Sequence, residues 1–381
     1  MIYLDNAATS FPKPSAVAAA MAEALSVPAS PGRSGHALAL NASRTIHRAR
    51  KALSKLFGLK DNSRLIFSPN VTWALNSAIG GLALGAGDHV ISGPLEHNST
   101  ARPLSRLVAE KGVFWETVPL IEGLLRPEAF KKLLKPQTKL VVLNQASNVS
   151  GDLAPAREIK EAIGDIPLLL DTAQTAGAID LEGAAEWVDF LAFTGHKGLL
   201  GPTGTGGLIV KDGINLRPLA VGGSGSRSES LSHPDFLPDS LEAGTANTHG
   251  LAGLAASVEY LLKTGVDKIR AEEMELTNYF LESLLSIPEL AILGQKPGQG
   301  PRVATISVNL KSWSSSDLAA ALEKDFGIMI RSGLHCAPMA HKTLGSFPGG
   351  ASRFSIGPFN SKDDLKEAIR ALRLLAKKKK S

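Results

Sequence analysis

Four stretches of this chain, "RLIFSP" (64–69), "DHVISG" (88–93), "KLVVLNQAS" (139–147) and "IPLLLDTA" (166–173), are apolar along nearly their whole length, and helical patterns separate the first three and follow the third. A strand that carries no polar face has to be covered on both sides, and helices between such strands supply the cover. The alternation therefore predicts a mostly parallel sheet sandwiched by helices, an α/β fold. A fifth run, "VDFLAFTG" (188–195), ends in the glycine-rich segment that carries His196 and Lys197, and a further apolar run begins at Leu208.

After Gly250 the pattern changes. A long helical stretch, 251–286, precedes the alternating segment "RVATISVNL" (302–310), a helix near 315–325, "GIMIRSGLHCA", the strand "SRFSIG" and a closing helix over 361–376. Mixed strands and helices of this kind suit a smaller α+β unit. We expect a large domain over 13–260 and a small one built from 1–12 and 261–381. With 381 residues, 44% hydrophobic and 20% charged, the chain is long enough for two cores.

Composition narrows the partners. The formal charge is 41 basic minus 36 acidic residues, or +5, and four of the lysines form the terminal run Lys377 to Lys380. Without that tail the chain is close to neutral, so nucleic acid is not expected as a partner, and the tail reads as a solvated end. No apolar run reaches the length of a membrane span. The opening segment "MIYLDNAATSFPKPSAV" has neither a basic n-region nor a continuous apolar h-region, so we expect a cytoplasmic protein. Cys336 is the only cysteine, which excludes a disulfide within the chain and leaves it as a buried thiol or a reactive one.

Ligands of an open parallel sheet bind beyond the carboxyl ends of its strands. Reading on from each strand gives Asn70, Val71 and Thr72 at a helix start, then His97, Asn148, Asp171 with Gln174, and Thr194 with His196 and Lys197. Taken singly, each is an ordinary cap or loop residue. Together, a free helix N-terminus, a carboxylate, a flat imidazole and a lysine match what pyridoxal phosphate requires: a phosphate site, a partner for the pyridine nitrogen, a stacking surface and a Schiff-base amine. Rival motifs fail. "GPTGTGG" lacks the Lys-Ser or Lys-Thr of a phosphate loop, no G-x-G-x-x-G opens a helix after an early strand, no H-E-x-x-H occurs, and "GGSGS" has no strand-to-helix context.

The segments "YLDNAAT" (3–9), "EHN" (96–98), "SNVSG" (147–151), "DTAQ" (171–174), "TGHKGLLGPTGTG" (194–206), "EAGTANT" (242–248), "RSGLHCAP" (331–338) and "SRFSIG" (352–357), in this order, resemble the class V, fold type I pyridoxal-phosphate enzymes. Within that class the chain is most similar to the group II cysteine desulfurase and selenocysteine lyase-like family. The resemblance implies a seven-stranded large-domain sheet with Lys197 as the Schiff-base lysine, Asp171 at the pyridine nitrogen, Gln174 near the ring oxygen and His97 stacked on the ring. Val71, Thr72, Thr194 and His196 would hold the phosphate, and Thr245 would reach the cofactor of a second copy in a homodimer. Asn148, Arg353 and Arg331 would bind the substrate carboxylate, a pairing that guanidinium groups make well.

By the same resemblance, Lys197 moves the Cα proton of L-cysteine and Cys336 attacks its sulfur. The products are a Cys336 persulfide, destined for an acceptor protein, and alanine, with His97 moving a proton at the sulfur. L-selenocysteine lyase activity, or another class V reaction in which Cys336 takes no part, stays open at this point. Two departures stand out: "HKGLLGPTG" is one residue longer than the "HKLYGPTG" of the best-known members, and Ala246 stands where "GTPNT" has proline.

Overall fold

The computed structural model describes residues 1–27, 30–31 and 35–378. Its centre is a seven-stranded sheet in the spatial order Leu65–Ser68, Gly206–Val210, Phe190–Thr194, Leu168–Asp171, Thr138–Asn144, His89–Ser92 and Phe114–Thr117. Six strands run parallel; Gly206–Val210 is antiparallel to both of its neighbours.

The strands are apolar throughout because alternate residues enter two different cores. Leu65, Ile91, Val141, Leu143, Leu168, Leu170, Leu191, Phe193 and Ile209 point to one face, where they meet Leu53 and Phe57 of the helix Ala37–Phe57 and Leu254 and Val258 of Thr248–Thr264. Ile66, Val90, Leu140, Val142, Leu169, Phe190, Ala192 and Leu208 point to the other, against Ala74, Leu75 and Ala78 of the helix Val71–Gly81. A one-residue slip would exchange the two sets, so the register is fixed.

A second, four-stranded sheet orders as Arg331–Gly333, Ala351–Ser355, Thr305–Leu310 and Leu290–Ile292, antiparallel throughout. Its own core gathers Phe280, Leu284, Ile306, Val308, Phe354, Leu365 and Leu372, together with Leu4 from the start of the chain. Ile2–Tyr3 pairs in parallel with Ile328–Met329.

Two features depart from the sequence pattern. The helical stretch read over 251–286 is two helices, Thr248–Thr264 and Val266–Leu284, because Gly265 adopts φ 91° and ψ 121° at the junction. The edge strand Phe114–Thr117 escaped notice because none of its residues is fully buried, which gives it neither an apolar run nor a clean alternation. Of the terminal lysines, Lys377 closes the last helix, while 379–381 lie outside the described residues. No helix among the described residues is long and apolar enough to cross a membrane.

One close approach sets the geometry of the site. A Cβ on Gly206 would lie 2.8 Å from the Phe193 carbonyl oxygen and 2.9 Å from the Asn70 Cα, so only glycine lets the turn before Val71 lie against this strand. Gly206→Ala should destabilise the protein by about 1–3 kcal/mol as an overpacked position. A denaturant midpoint equal to that of the parent would contradict this account.

Candidate active site

The parallel strands end level with one another. Asn144 pairs with Asp171, and Asp171 with Ala192; Thr194 and Ser68 both pair with Gly206. The loops after these residues therefore share one crevice.

From Ser68 the chain turns into the helix Val71–Gly81. Asn70 caps it by accepting the Trp73 N–H at 3.0 Å, which leaves the Val71 and Thr72 N–H groups outside the helix's own ladder. Thr194, the last residue of its strand, is buried alongside, its hydroxyl 3.5 Å from the Thr205 carbonyl. A helix N-terminus with spare N–H groups beside buried threonine hydroxyls is suited to an anion.

Asp171 closes the strand Leu168–Asp171 at 2% exposure and accepts the Ala173 N–H at 2.9 Å through Oδ1. Burial raises its pKa, opposed by that N–H and by the charge of Lys197. Gln174, one turn further, donates to the Ala7 carbonyl. Close to Asp171 lies Glu96, fully buried, whose Oε1 accepts the Asn144 N–H at 2.8 Å. Burial, with a contribution from Asp171, pushes Glu96 up to about 8, so it holds its proton at neutral pH.

Lys197 sits in the turn after Thr194. The carbonyl just before it, of His196, is gripped from the N-terminal segment by the Ser10 N–H at 3.0 Å and Lys13 Nζ at 2.9 Å, with the Thr9 and Ser10 hydroxyls close by. Burial drives Lys197 down to about 8 from 10.5, with Arg353 and Arg331 adding to the effect and Asp171 and Asp5 opposing it. Its amine is thus partly neutral, and nucleophilic, where an exposed lysine would be fully charged.

His97 is the N-cap of the helix Asn98–Lys111, its Nδ1 accepting the Ser99 N–H at 3.0 Å. That bond fixes the tautomer: the ring proton is on Nε2. Burial, then Lys197, Arg331 and Arg353, pull its pKa down to about 3. His196 falls to about 4 by burial beside Lys197 and Lys13. Both imidazoles are neutral.

The small sheet supplies the remaining groups. Arg331 and Arg353 stand directly opposite each other on neighbouring antiparallel strands, an arrangement of like charges that costs stability unless an anion joins them. Arg353 is 1% exposed and donates to Asp5 Oδ1 at 2.8 Å and to the Asn148 carbonyl at 3.0 Å. Among the described residues no carboxylate pairs with Arg331, whose Nη2 instead lies 3.7 Å from Cys336 Sγ. Cys336 is exposed, and the Asn98 N–H donates to its carbonyl. Asn148 donates through Nδ2 to the His335 carbonyl at 2.8 Å.

Among the described residues, buried polar atoms without a partner at the site include His196 Nδ1, Asn148 Oδ1 and Arg353 Nε. Such atoms are rare in a finished core, so the site is built to receive polar groups from outside. Of the residues expected from sequence, Lys197, Asp171, His97, Arg331 and Arg353 come within electrostatic reach of one another. Thr245 stands apart, exposed in a groove of about 410 Å³ with Ser68 and Pro69. Asp5, Lys13 and Glu96 went unassigned; the first two act only because the N-terminal segment folds back over the site.

A mostly parallel sheet with a lysine turn at its strand ends, an aspartate level with it and a smaller antiparallel sheet with its own core alongside is the architecture of fold type I enzymes. The family model for Aminotransferase class-V matches residues 2–367. A probable cysteine desulfurase from Methanothermobacter thermautotrophicus is 32% identical over 373 residues, 96% of this chain and 92% of that one. A cysteine desulfurase from Shigella flexneri is 31% identical over 386 residues, covering 98% and 92%. The apo structure of a cysteine desulfurase from Thermococcus onnurineus NA1 superposes with a TM-score of 0.91 at 31% identity, covering 99% and 94% of the two chains. The chain belongs to the class-V aminotransferase family, among its cysteine desulfurases.

The lowered lysine pKa is open to measurement. Below pH 8 the Lys197 amine is charged in both folded and unfolded chains; between about 8 and 10.5 only the unfolded chain keeps the proton, so through this group stability rises with pH across that window. Competitive acetylation of the cofactor-free protein, resolved by peptide, should place the midpoint for Lys197 near pH 8. A midpoint near that of exposed lysines would reject the burial argument.

Proposed function

We propose that the protein is a pyridoxal 5′-phosphate-dependent desulfurase that converts L-cysteine to L-alanine and receives the sulfur on Cys336. The observation that carries this reading is the coincidence of two sites: Arg331, opposite Arg353 across the small sheet, also touches the Cys336 sulfur, and both arginines act on Lys197. A carboxylate held by the arginines therefore lies between the lysine and the thiol.

The residues fit the cofactor. Lys197 Nζ is the amine that carries it, Asp171 faces the pyridine nitrogen and Gln174 the ring oxygen. His97 covers one face. The Val71 N–H, Thr72, Thr194 and His196 hold the phosphate, for which the unpartnered His196 Nδ1 is a ready donor. When bound, pyridoxal phosphate acts as an electron sink that makes the substrate Cα proton acidic.

Asn148, Arg353 and Arg331 orient the substrate carboxylate, and Asp5 keeps Arg353 aimed. Lys197, neutral in part at physiological pH, takes the Cα proton. The sulfur of Cys336 then attacks the sulfur of cysteine; the Cβ–S bond breaks, its electron pair stays with carbon and takes up the proton that the Cys336 thiol gives up, completing the methyl group of alanine, and a Cys336 persulfide remains. His97 keeps its ring proton on Nε2, the atom not used in capping, and offers it as a hydrogen-bond donor in the crevice. Because Cys336 is exposed, its persulfide can be collected by an acceptor protein, and a lone exposed thiol suits a reducing compartment such as the cytoplasm. The exposed Thr245 is available to the phosphate site of a second copy, so the working unit is a homodimer. Selenocysteine would be accommodated by the same residues.

Two variants test this. Cys336→Ala should abolish sulfide release from L-cysteine while leaving the cofactor absorbance intact, and Lys197→Ala should lose that absorbance. Undiminished cysteine turnover in Cys336→Ala would place the chain with class V enzymes of another reaction.

A further inference from the structure

Cys336 stands on an unusual piece of backbone. The Ala337 N–H donates to the Leu334 carbonyl at 2.8 Å, closing a tight turn whose two central residues, His335 and Cys336, have φ of 51° and 55°. Positive φ at both central positions is the pattern of a type I′ turn, which favours Asn-Gly and penalises residues with a Cβ. Neither residue here is glycine, so the turn relaxes unless its surroundings hold it.

Backbone contacts hold part of it. The Asn98 N–H donates to the Cys336 carbonyl at 2.8 Å, and Asn148 Nδ2 to the His335 carbonyl at 2.8 Å. The His335 side chain is held separately. His335 Nε2 lies 3.4 Å from the Arg331 carbonyl, His335 Nδ1 lies 3.1 Å from His341 Nε2, and His341 Nδ1 lies 2.7 Å from Ser346 Oγ. Both rings are buried, at 3% and 0% exposure, and stack at 5.3 Å between centroids.

A carbonyl only accepts, so it assigns every proton in this chain. His335 Nε2 must donate to Arg331; His335 Nδ1 is then an acceptor and His341 Nε2 its donor; His341 Nδ1 is in turn an acceptor and Ser346 its donor. Burial pulls the pKa of both rings down, so both are neutral, as this assignment requires. The desulfurase reading uses neither His341 nor Ser346.

We propose that His341 and Ser346 are positioning residues for the Cys336 thiol: by locking the His335 ring they hold the left-handed turn on which Cys336 stands, within reach of Arg331. The inference rests on the reading of Cys336 as the sulfur acceptor. A thiol shifted by an ångström misses the substrate sulfur, whereas the buried Arg353, held by Asp5 Oδ1 and the Asn148 carbonyl, keeps its place for the carboxylate.

His341→Leu removes the donor to His335, Ser346→Ala removes the donor to His341, and His341→Gln restores an N–H in place of Nε2. In the holoenzyme, the first two should lower kcat for sulfide release by about tenfold or more, with the KM for L-cysteine within about twofold of the parent. His341→Gln should recover most of the loss. Hydrogen exchange, which needs no turnover, should accelerate at the Ala337 and Asn98 amides in the first two variants and not in the third. Should His341→Leu fail to fold, Ser346→Ala against His341→Gln makes the same comparison. Parent-like kcat and exchange in Ser346→Ala and His341→Leu, with Cys336→Ala inactive, would overturn the positioning role alone. Sulfide release retained in Cys336→Ala would instead overturn the reading beneath it.

Discussion

Everything at the site depends on parallel strands that end level. The register of Asn144 with Asp171 and of Asp171 with Ala192 is enforced by burial on both faces, because no strand can slip without exchanging its two core sets. The chemistry is then placed by chain direction alone. Every strand that runs the same way delivers its following loop to the same rim, and the one antiparallel strand, Gly206–Val210, brings the chain back from the lysine turn to pair with the strand leading to Val71. Its glycine at 206 is what allows the helix N-terminus to lie against the strand that carries Thr194.

Charge in that rim is unbalanced. Lys197, Lys13, Arg331 and Arg353 face Asp171 and Asp5, with Glu96 pushed by burial into its protonated form. The imbalance has two consequences. It adds to burial, the larger effect, in driving His97 and His196 to the neutral form. It also leaves the ligand-free protein with opposed arginines and orphaned polar atoms, a cost that anionic groups relieve on binding; the ligands that complete the site therefore stabilise the fold by mass action.

Much of this was legible in the sequence, for a physical reason. Strands buried on both faces read as uninterrupted apolar runs, and the polar residue after each run marks the rim, so Asp171, Thr194, Lys197 and His97 could be picked out one by one. What could not be read depends on contacts across long separations. Asp5 matters because it meets Arg353, and Lys13 because it meets the His196 carbonyl; neither has a local pattern to announce it. The edge strand Phe114–Thr117 carries no buried face, and the break at Gly265 hides inside a stretch whose apolar periodicity continues across it. The contact of His335 with His341 runs through a turn that the sequence does not encode with glycine, so nothing local announces it.

The division of labour between the two cores follows from these contacts. Asp171, Lys197 and the helix Val71–Gly81 belong to the large sheet and its strand ends, while Arg331, Arg353 and Cys336 belong to the small one; on the proposed reading the first group holds the cofactor and the second selects the substrate. The 147–152 loop lies between the two sets and ties them together. Arg302 Nη2 donates to the Ser150 carbonyl at 2.6 Å, Ser307 Oγ to the Val149 carbonyl at 2.5 Å, and the Val303 N–H to the Gly151 carbonyl at 2.8 Å. The same loop carries Asn148, whose amide holds the Cys336 turn and whose carbonyl holds Arg353. The Cys336 turn, Arg353 and Asn148 are therefore tied directly to one another. The Asn98 N–H on the Cys336 carbonyl is a second joint of this kind, so the two cores meet through several polar contacts while each stays rigid within itself.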